Sequence, residues 1–297
     1  MALAQSLLDR IEATDESLKA WVTIDREELL TNDKQREYEA QHDNIRGPIH
    51  GVPVGLKDIF YTAGMKTAAG SKVYADFVPE FDATSVVRIK EAGGIILGKA
   101  VTTEFATSDP SPTYNPWNFE HTPGGSSSGS SVAVATKTVG AALGSQTGGS
   151  TCRPAAYNGI VGLKATYGRI SRYGVVPVSW SLDHVGILVR TVEDAALMLQ
   201  VMSGEDPKDP GSSSAPVPDF LEQMAEHCKP PRIGIVNDYY LENSDSETWD
   251  HTQGVVRKLE AAGAEIVELG LPNSFGSCHS CLLYTSPSPR DGLLSRM

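Results

Sequence analysis

The sequence predicts an α/β fold, and three stretches carry that prediction. Between residues 82 and 97, Asp82 is a good N-cap for a helix through Val86, Val87 and Ile89, which Gly93-Gly94 stops. Ile95-Ile96-Leu97 then reads as a short buried strand. Between 130 and 145, a helix over Ser130 to Val139 leads into a strand over Ala141 to Ser145. Between 232 and 269, a strand at Arg232 to Val236, a helix over Glu247 to Ala262 and a strand at Glu265 to Leu269 form another beat of the same kind. With 297 residues, 40% of them hydrophobic, the chain can build one large core or two domains.

The remaining elements follow in order. Leu3, Leu7, Leu8 and Ile11 recur at helical spacing, and a charged helix is expected from Arg26 to Gln41, both packing outside the core. Gly47 to Ile59 alternates apolar residues with Gly and Pro, as expected of a turn entering a buried strand that delivers Lys57. Pro110, Pro112, Pro116 and Pro123 mark an irregular approach to a glycine-serine loop. Strands are expected to start at Gly159 to Lys164 and at Tyr173 to Pro177. Thr191 caps a helix running to Gly204, and the Pro, Gly, Ser and Asp of 207–218 read as a surface loop or linker.

Chemistry concentrates between Gly124 and Ser150. Two serine-bearing glycine loops, at Ser126 and Ser150, flank a helix and a strand that double back and bring them to one end of the core. Glycine loops let backbone approach a reacting atom and aim several N–H groups at one point. The base such a pair needs is absent from the stretch, but Lys57 ends an apolar run upstream. Buried, that ammonium falls from a reference pKa near ~10.4, and a neutral amine can activate serine. Taken singly, Lys57 reads rather as an ion-pair partner of Asp58 or another acid, and each serine as a turn or helix-cap residue.

Their combination and order resemble the amidase signature hydrolases. The matching run extends from Gly47-Pro-Ile-His-Gly-Val-Pro53 through Gly124-Gly-Ser-Ser-Ser-Gly-Ser and Thr147-Gly-Gly-Ser150. It continues through Gly162-Leu-Lys-Ala-Thr-Tyr-Gly-Arg and Ser181-Leu-Asp-His-Val-Gly to Arg190-Thr-Val-Glu-Asp-Ala-Ala. The resemblance implies a mixed central sheet covered by helices on both faces, incomplete at the C-terminus. It implies a Ser-cisSer-Lys triad of Ser150 as nucleophile, Ser126 as bridging serine after a cis peptide and Lys57 as base. The oxyanion hole falls on the N–H groups of Thr147, Gly148, Gly149 and Ser150. Two positions depart from the common pattern. Gln146 stands where many members have Asp, and Arg153 lies three residues after the nucleophile instead of two. The second arrangement resembles the malonamidase-like branch and makes Arg153 a candidate for a substrate carboxylate, with a structural salt bridge as the other reading. Thr151 is expected to line or support the pocket.

A formal charge of -12 argues against nucleic acid as a direct ligand and disfavours anionic membranes. No apolar run reaches the ~20 residues a bilayer requires, and the acid-bearing N-terminal helix fits no secretory or transit signal. The expected compartment is the cytoplasm. Four cysteines are too few for a disulfide scaffold, and Cys278-His-Ser-Cys281 has no second pair that would make it a metal site. A phosphate cradle is disfavoured because no Gly-Lys-Ser/Thr follows the glycine-serine loop. No metal or organic cofactor is implied, since Ser-Lys chemistry needs neither. The expected activity is hydrolysis of the amide bond of a small molecule, with a homodimer as one option. The alternatives are the glutaminase component of a glutamyl-tRNA amidotransferase and an inactive fragment of an amidase. The expected domain is 1–276; residues 277–297 show neither helical nor strand period and are set apart as an artefactual tail.

Overall fold

The computed structural model describes residues 2–107, 110–226 and 229–277. The tail from 278 onward, with the Cys278/Cys281 pair, lies outside the described residues. Two compact units divide the chain, one up to Leu221 and the other from Glu222.

The first unit opens with α1 (Ala2–Leu18), β1 (Trp21–Ile24), α2 (Arg26–Gln41) and β2 (Pro53–Lys57). It continues with α3 (Thr84–Glu91), β3 (Ile95–Ala100), α4 (Ser128–Ala135), β4 (Ala141–Gln146), α5 (Cys152–Asn158), β5 (Val161–Lys164), β6 (His184–Val189) and α6 (Val192–Met202). Its six strands form one mixed sheet in the order β1-β3-β2-β4-β6-β5. The three inner strands β3, β2 and β4 run parallel, and β1, β6 and β5 are added antiparallel.

Successive strand residues point to opposite faces, so the sheet supports two cores. Val54, Leu56, Leu143 and Ile187 pack with α3 and α6 through Val86, Ile89, Ala195 and Met198. Ile95, Leu97, Ala142 and Leu188 pack on the other face with α1, α4 and α5 through Leu7, Leu8, Val132 and Ala155. Burial on both faces explains why β2, β3 and β4 read as apolar runs without alternation.

Three expectations need correction. Asp82 does not cap α3; its oxygens take the N–H of Ala63 (2.8 Å) and Lys90 Nζ (2.6 Å), and the N-cap is Ala83, with no side-chain cap bond. The helix expected over Ser130 to Val139 starts at Ser128 and ends at Ala135, where Lys137 turns to φ +59°. Tyr173 to Pro177 is no strand: Gly174 adopts φ +78° and Val175 makes a single bridge to Phe60. The segment 207–218 is a loop without helix or strand, as expected, but it is anchored at its start, where the buried Asp209 binds Arg172 and the neighbouring Asp206 accepts from Thr84 and Ser171. β1 and β6, which were not expected above, complete the sheet.

The boundary between the units falls within α7 (Phe220–Ala225). The second unit holds β7 (Arg232–Val236), α8 (Asp238–Glu242), α9 (Ser246–Ala261) and β8 (Glu265–Leu269), with β7 and β8 paired in parallel. Asp245 caps α9 by accepting the Thr248 N–H at 2.7 Å, and Arg232 pairs across the strands with Glu265 at 3.2 Å.

Candidate active site

Strands β2 and β4 run side by side, so their C-terminal ends open on the same edge of the sheet. β2 delivers Lys57 there. The loop entering α4 delivers Ser126, and the loop leaving β4 carries Thr147 to Ser150. This is the doubling back that the spacing of the two serines implies.

The glycine-serine loop is held from several sides. Gly124 adopts φ +74°, and a Cβ there would lie 2.9 Å from the Pro154 backbone, so glycine alone fits. The Gly125–Ser126 peptide bond is cis. Arg153 grips the Gly125 carbonyl through Nη2 (2.7 Å) and Nε (3.2 Å). Asn158 Nδ2 donates to Pro123 O at 2.8 Å and to Ser131 Oγ at 2.9 Å. The N–H of Ser127 donates to Ser150 O at 3.3 Å, which sets the two serine loops against each other.

Lys57 is wholly buried, and its Nζ lies 2.6 Å from Ser126 Oγ and 2.9 Å from Ser145 Oγ. Desolvation disfavours the ammonium, and the negative charge of Asp183 opposes it only in part, so the pKa of Lys57 is lowered to about 7. The ion pair with Asp58 that Lys57 alone suggested does not form. Asp58 faces Lys99 instead, at 4.0 Å.

The loop carrying Ser150 is fastened at both ends. Gln146 Oε1 accepts the N–H groups of Thr151 and Cys152, each at 2.9 Å. A neutral amide thus makes the bonds that a carboxylate would make at this departure from the common pattern. Thr147 Oγ1 donates to Asp183 Oδ1 at 2.5 Å, and Asp183 Oδ2 accepts the N–H groups of Val178 (2.7 Å) and Ser179 (2.9 Å). Among the described residues, no protein acceptor takes the N–H groups of Thr147, Gly148, Gly149 or Ser150. Four free donors on one open loop can gather an oxyanion.

Of the residues singled out in the sequence, the structure therefore brings Lys57, Ser126 and the Ser150 loop together. Thr151 is buried beneath the loop, so close to β6 that a Cβ at Gly186 would collide with its side chain. Arg153 stands beside the site with its guanidinium engaged on Gly125. Sequence reasoning missed Ser145 and Asp183. Ser145 is the polar residue near the end of an otherwise apolar strand, and Asp183 sits inside the Ser181 to Gly186 run that carries the resemblance. A mostly apolar cavity adjoins the site, lined by Val175, Val176, Pro177, Val178 and Trp180 together with Ser145 and Asp183. Among the described residues, no group of His, Cys, Asp and Glu could hold a metal ion, and no helix is long and apolar enough to cross a membrane.

Comparison with known proteins agrees with this architecture. The Amidase family model matches residues 2–292 and so reaches into the tail set apart above. The glutamyl-tRNA(Gln) amidotransferase A-subunit of Trichlorobacter lovleyi is 41% identical over 92% of this chain and 57% of its own length. The protein of the same name from Geobacter metallireducens is 42% identical over 91% of this chain and 57% of its own. The solved peptide amidase of Stenotrophomonas maltophilia is 33% identical, with a TM-score of 0.85 over 96% of this chain and 62% of that one. The chain thus spans little more than half the length of the curated relatives it matches. The mixed sheet, the helices on both its faces and the match along most of the sequence make this chain a member of the amidase signature family.

Proposed function

We propose that the chain carries a Ser-cisSer-Lys triad that hydrolyses the carbon–nitrogen bond of a small carboxamide. One observation supports this above the others: a lysine buried among hydroxyls, with a pKa lowered to about 7, lies 2.6 Å from Ser126. Neutral Lys57 takes the proton of Ser126 Oγ, which takes that of Ser150 Oγ, and Ser150 Oγ bonds to the substrate carbonyl carbon. The oxyanion gathers the N–H groups of 147–150, where losing one donor raises the barrier by about 2.7–4 kcal/mol. The C–N bond then breaks. Its nitrogen leaves with the proton returned from Lys57 through Ser126, and an acyl ester stays on Ser150. Water attacks the ester, loses a proton along the same path, and releases the carboxylic acid as Ser150 regains its own. Arg153 Nη1 takes no acceptor among the described residues and would meet a carboxylate on the substrate.

A second reading is favoured by the curated relatives, which carry the name of an amidotransferase component. There the same steps on glutamine would release ammonia for use with partner subunits. Glutamine hydrolysis and co-purifying chains select this reading, whereas hydrolysis of simple amides by the isolated chain selects the first.

The test for both is labelling with a fluorophosphonate probe and peptide mapping, on this chain and its Ser150→Ala and Lys57→Ala variants, with circular dichroism to follow folding. Label on Ser150 that both variants lose is the expected result. Label at another residue, or none on a folded chain, overturns the triad in this polypeptide.

A further inference from the structure

We propose that Asp183 is the positioning residue of this site, a single carboxylate that ties the Thr147–Ser150 loop to the wall of the adjoining cavity so that the two move as one. One oxygen accepts from Thr147 Oγ1 at 2.5 Å, and the other accepts the N–H groups of Val178 and Ser179 at 2.7 and 2.9 Å. Asp183 immediately precedes β6, whose first residue, His184, pairs with Gln146 at the end of β4. The carboxylate therefore stands at the junction where the loop leaves the sheet. Both segments it holds bear on the chemistry. Thr147 contributes the first of the four free N–H groups, and Val178 lines the cavity together with Ser145, which touches Lys57 Nζ.

Three donors converge on two oxygens, an arrangement that needs an acceptor-only group. An asparagine would offer one oxygen and turn an NH2 toward a donor. The carboxylate has a second effect, because its charge favours the ammonium form of Lys57 against burial. The other titratable groups beside Lys57 or lining the cavity are engaged elsewhere. Asp58 faces Lys99, Arg172 is paired with Asp209, and His184 is turned by Nδ1 to the Leu182 carbonyl at 2.7 Å. Removing the Asp183 charge should therefore lower the pH at which Lys57 loses its proton.

The inference rests on the reading of Ser150 as nucleophile and Lys57 as base. Its test is the rate of fluorophosphonate labelling of the 297-residue chain, followed from about pH 5 to about pH 10. Asp183→Asn should slow labelling about tenfold and move the acid limb to lower pH. Thr147→Val removes the donor and keeps the charge, so it should slow labelling about tenfold with the limb unmoved, and Thr147→Ser should regain most of that loss. If Asp183→Asn does not fold, the two Thr147 variants carry the test. Labelling of Thr147→Val at the parental rate, or a slower Asp183→Asn with an unmoved limb, overturns the role of Asp183. A parent chain whose label does not map to Ser150, or that shows no acid limb, overturns the triad itself and this inference with it.

Discussion

Two lysines lie fully buried on neighbouring parallel strands, Lys57 at the end of β2 and Lys99 one residue before the end of β3. Their surroundings differ. Lys99 Nζ donates to the Phe60 carbonyl and to Thr67 Oγ1 (2.8 Å), and it faces the Asp58 carboxylate. Among the described residues, Lys57 Nζ meets only the hydroxyls of Ser126 and Ser145. Burial lowers the pKa of both amines. At Lys99 the Asp58 charge pushes back from 4.0 Å and the pKa is lowered to about 8, while burial raises Asp58 itself. At Lys57 the opposing charge is Asp183, which makes no hydrogen bond to the amine, and the pKa comes to rest at about 7. One fold thus buries a lysine in two ways: against a carboxylate, where it holds strand and turn together, or among neutral hydroxyls, where its amine has a serine proton within reach.

Replacing each lysine by methionine should separate the two roles. Lys57→Met should lower the rate of Ser150 labelling at neutral pH by about 10²–10⁴-fold, the usual contribution of a general base. Lys99→Met should act on stability, because it strands Asp58 without its partner; urea denaturation should show a loss of about 3–5 kcal/mol. Replacing both members, as Lys99→Met with Asp58→Asn, should recover much of that loss if the pair is structural.

The effect of Lys57 on stability has the opposite sign. Its folded pKa lies below its unfolded value, so its contribution is complete above about 10.5 and is lost as pH falls toward about 7. Lys57→Met should therefore be more stable than the parent near pH 7, by about 1–4 kcal/mol, and the gap should close as pH rises. Equal stability of the two chains at every pH would show that Lys57 keeps an ordinary charge. The smallest expected effect is that of Ser145→Ala. Loss of one hydroxyl from Lys57 should cost about 0.5–1.5 kcal/mol, read as a fall in labelling of no more than about tenfold.

Much of this was legible in the sequence where local rules and burial agree. The run Pro53 to Lys57 announces a buried strand with a cation at its end, and Thr191 caps α6 as its spacing requires, accepting the Asp194 N–H at 3.0 Å. The glycines around Ser126 and Ser150 mark two tight loops, and the intervening helix and strand bring them together. Long-range competition for polar groups was not legible. Asp82 has the chemistry of a cap, but Ala63 and Lys90 claim its oxygens, and neither choice leaves a local signal. Asp209 sits in, and Asp206 just before, a segment with the composition of a linker, and only the fold sets Thr84, Ser171 and Arg172 against them. Asp183 is of the same kind, since its three donors come from residues 147, 178 and 179.

The central claim is that Lys57, unlike the surface lysines, exchanges its proton near neutrality. Nitrogen-15 NMR of the lysine side chains, titrated across that range on the parent and on Lys57→Met, reads this directly. The account predicts an amine signal with a midpoint at about pH 7 that is absent from Lys57→Met, beside that of Lys99 at about 8, which Lys57→Met keeps. A Lys57 signal that titrates with the surface lysines near ~10.4 would contradict it, because an ammonium at neutral pH cannot take the proton of Ser126.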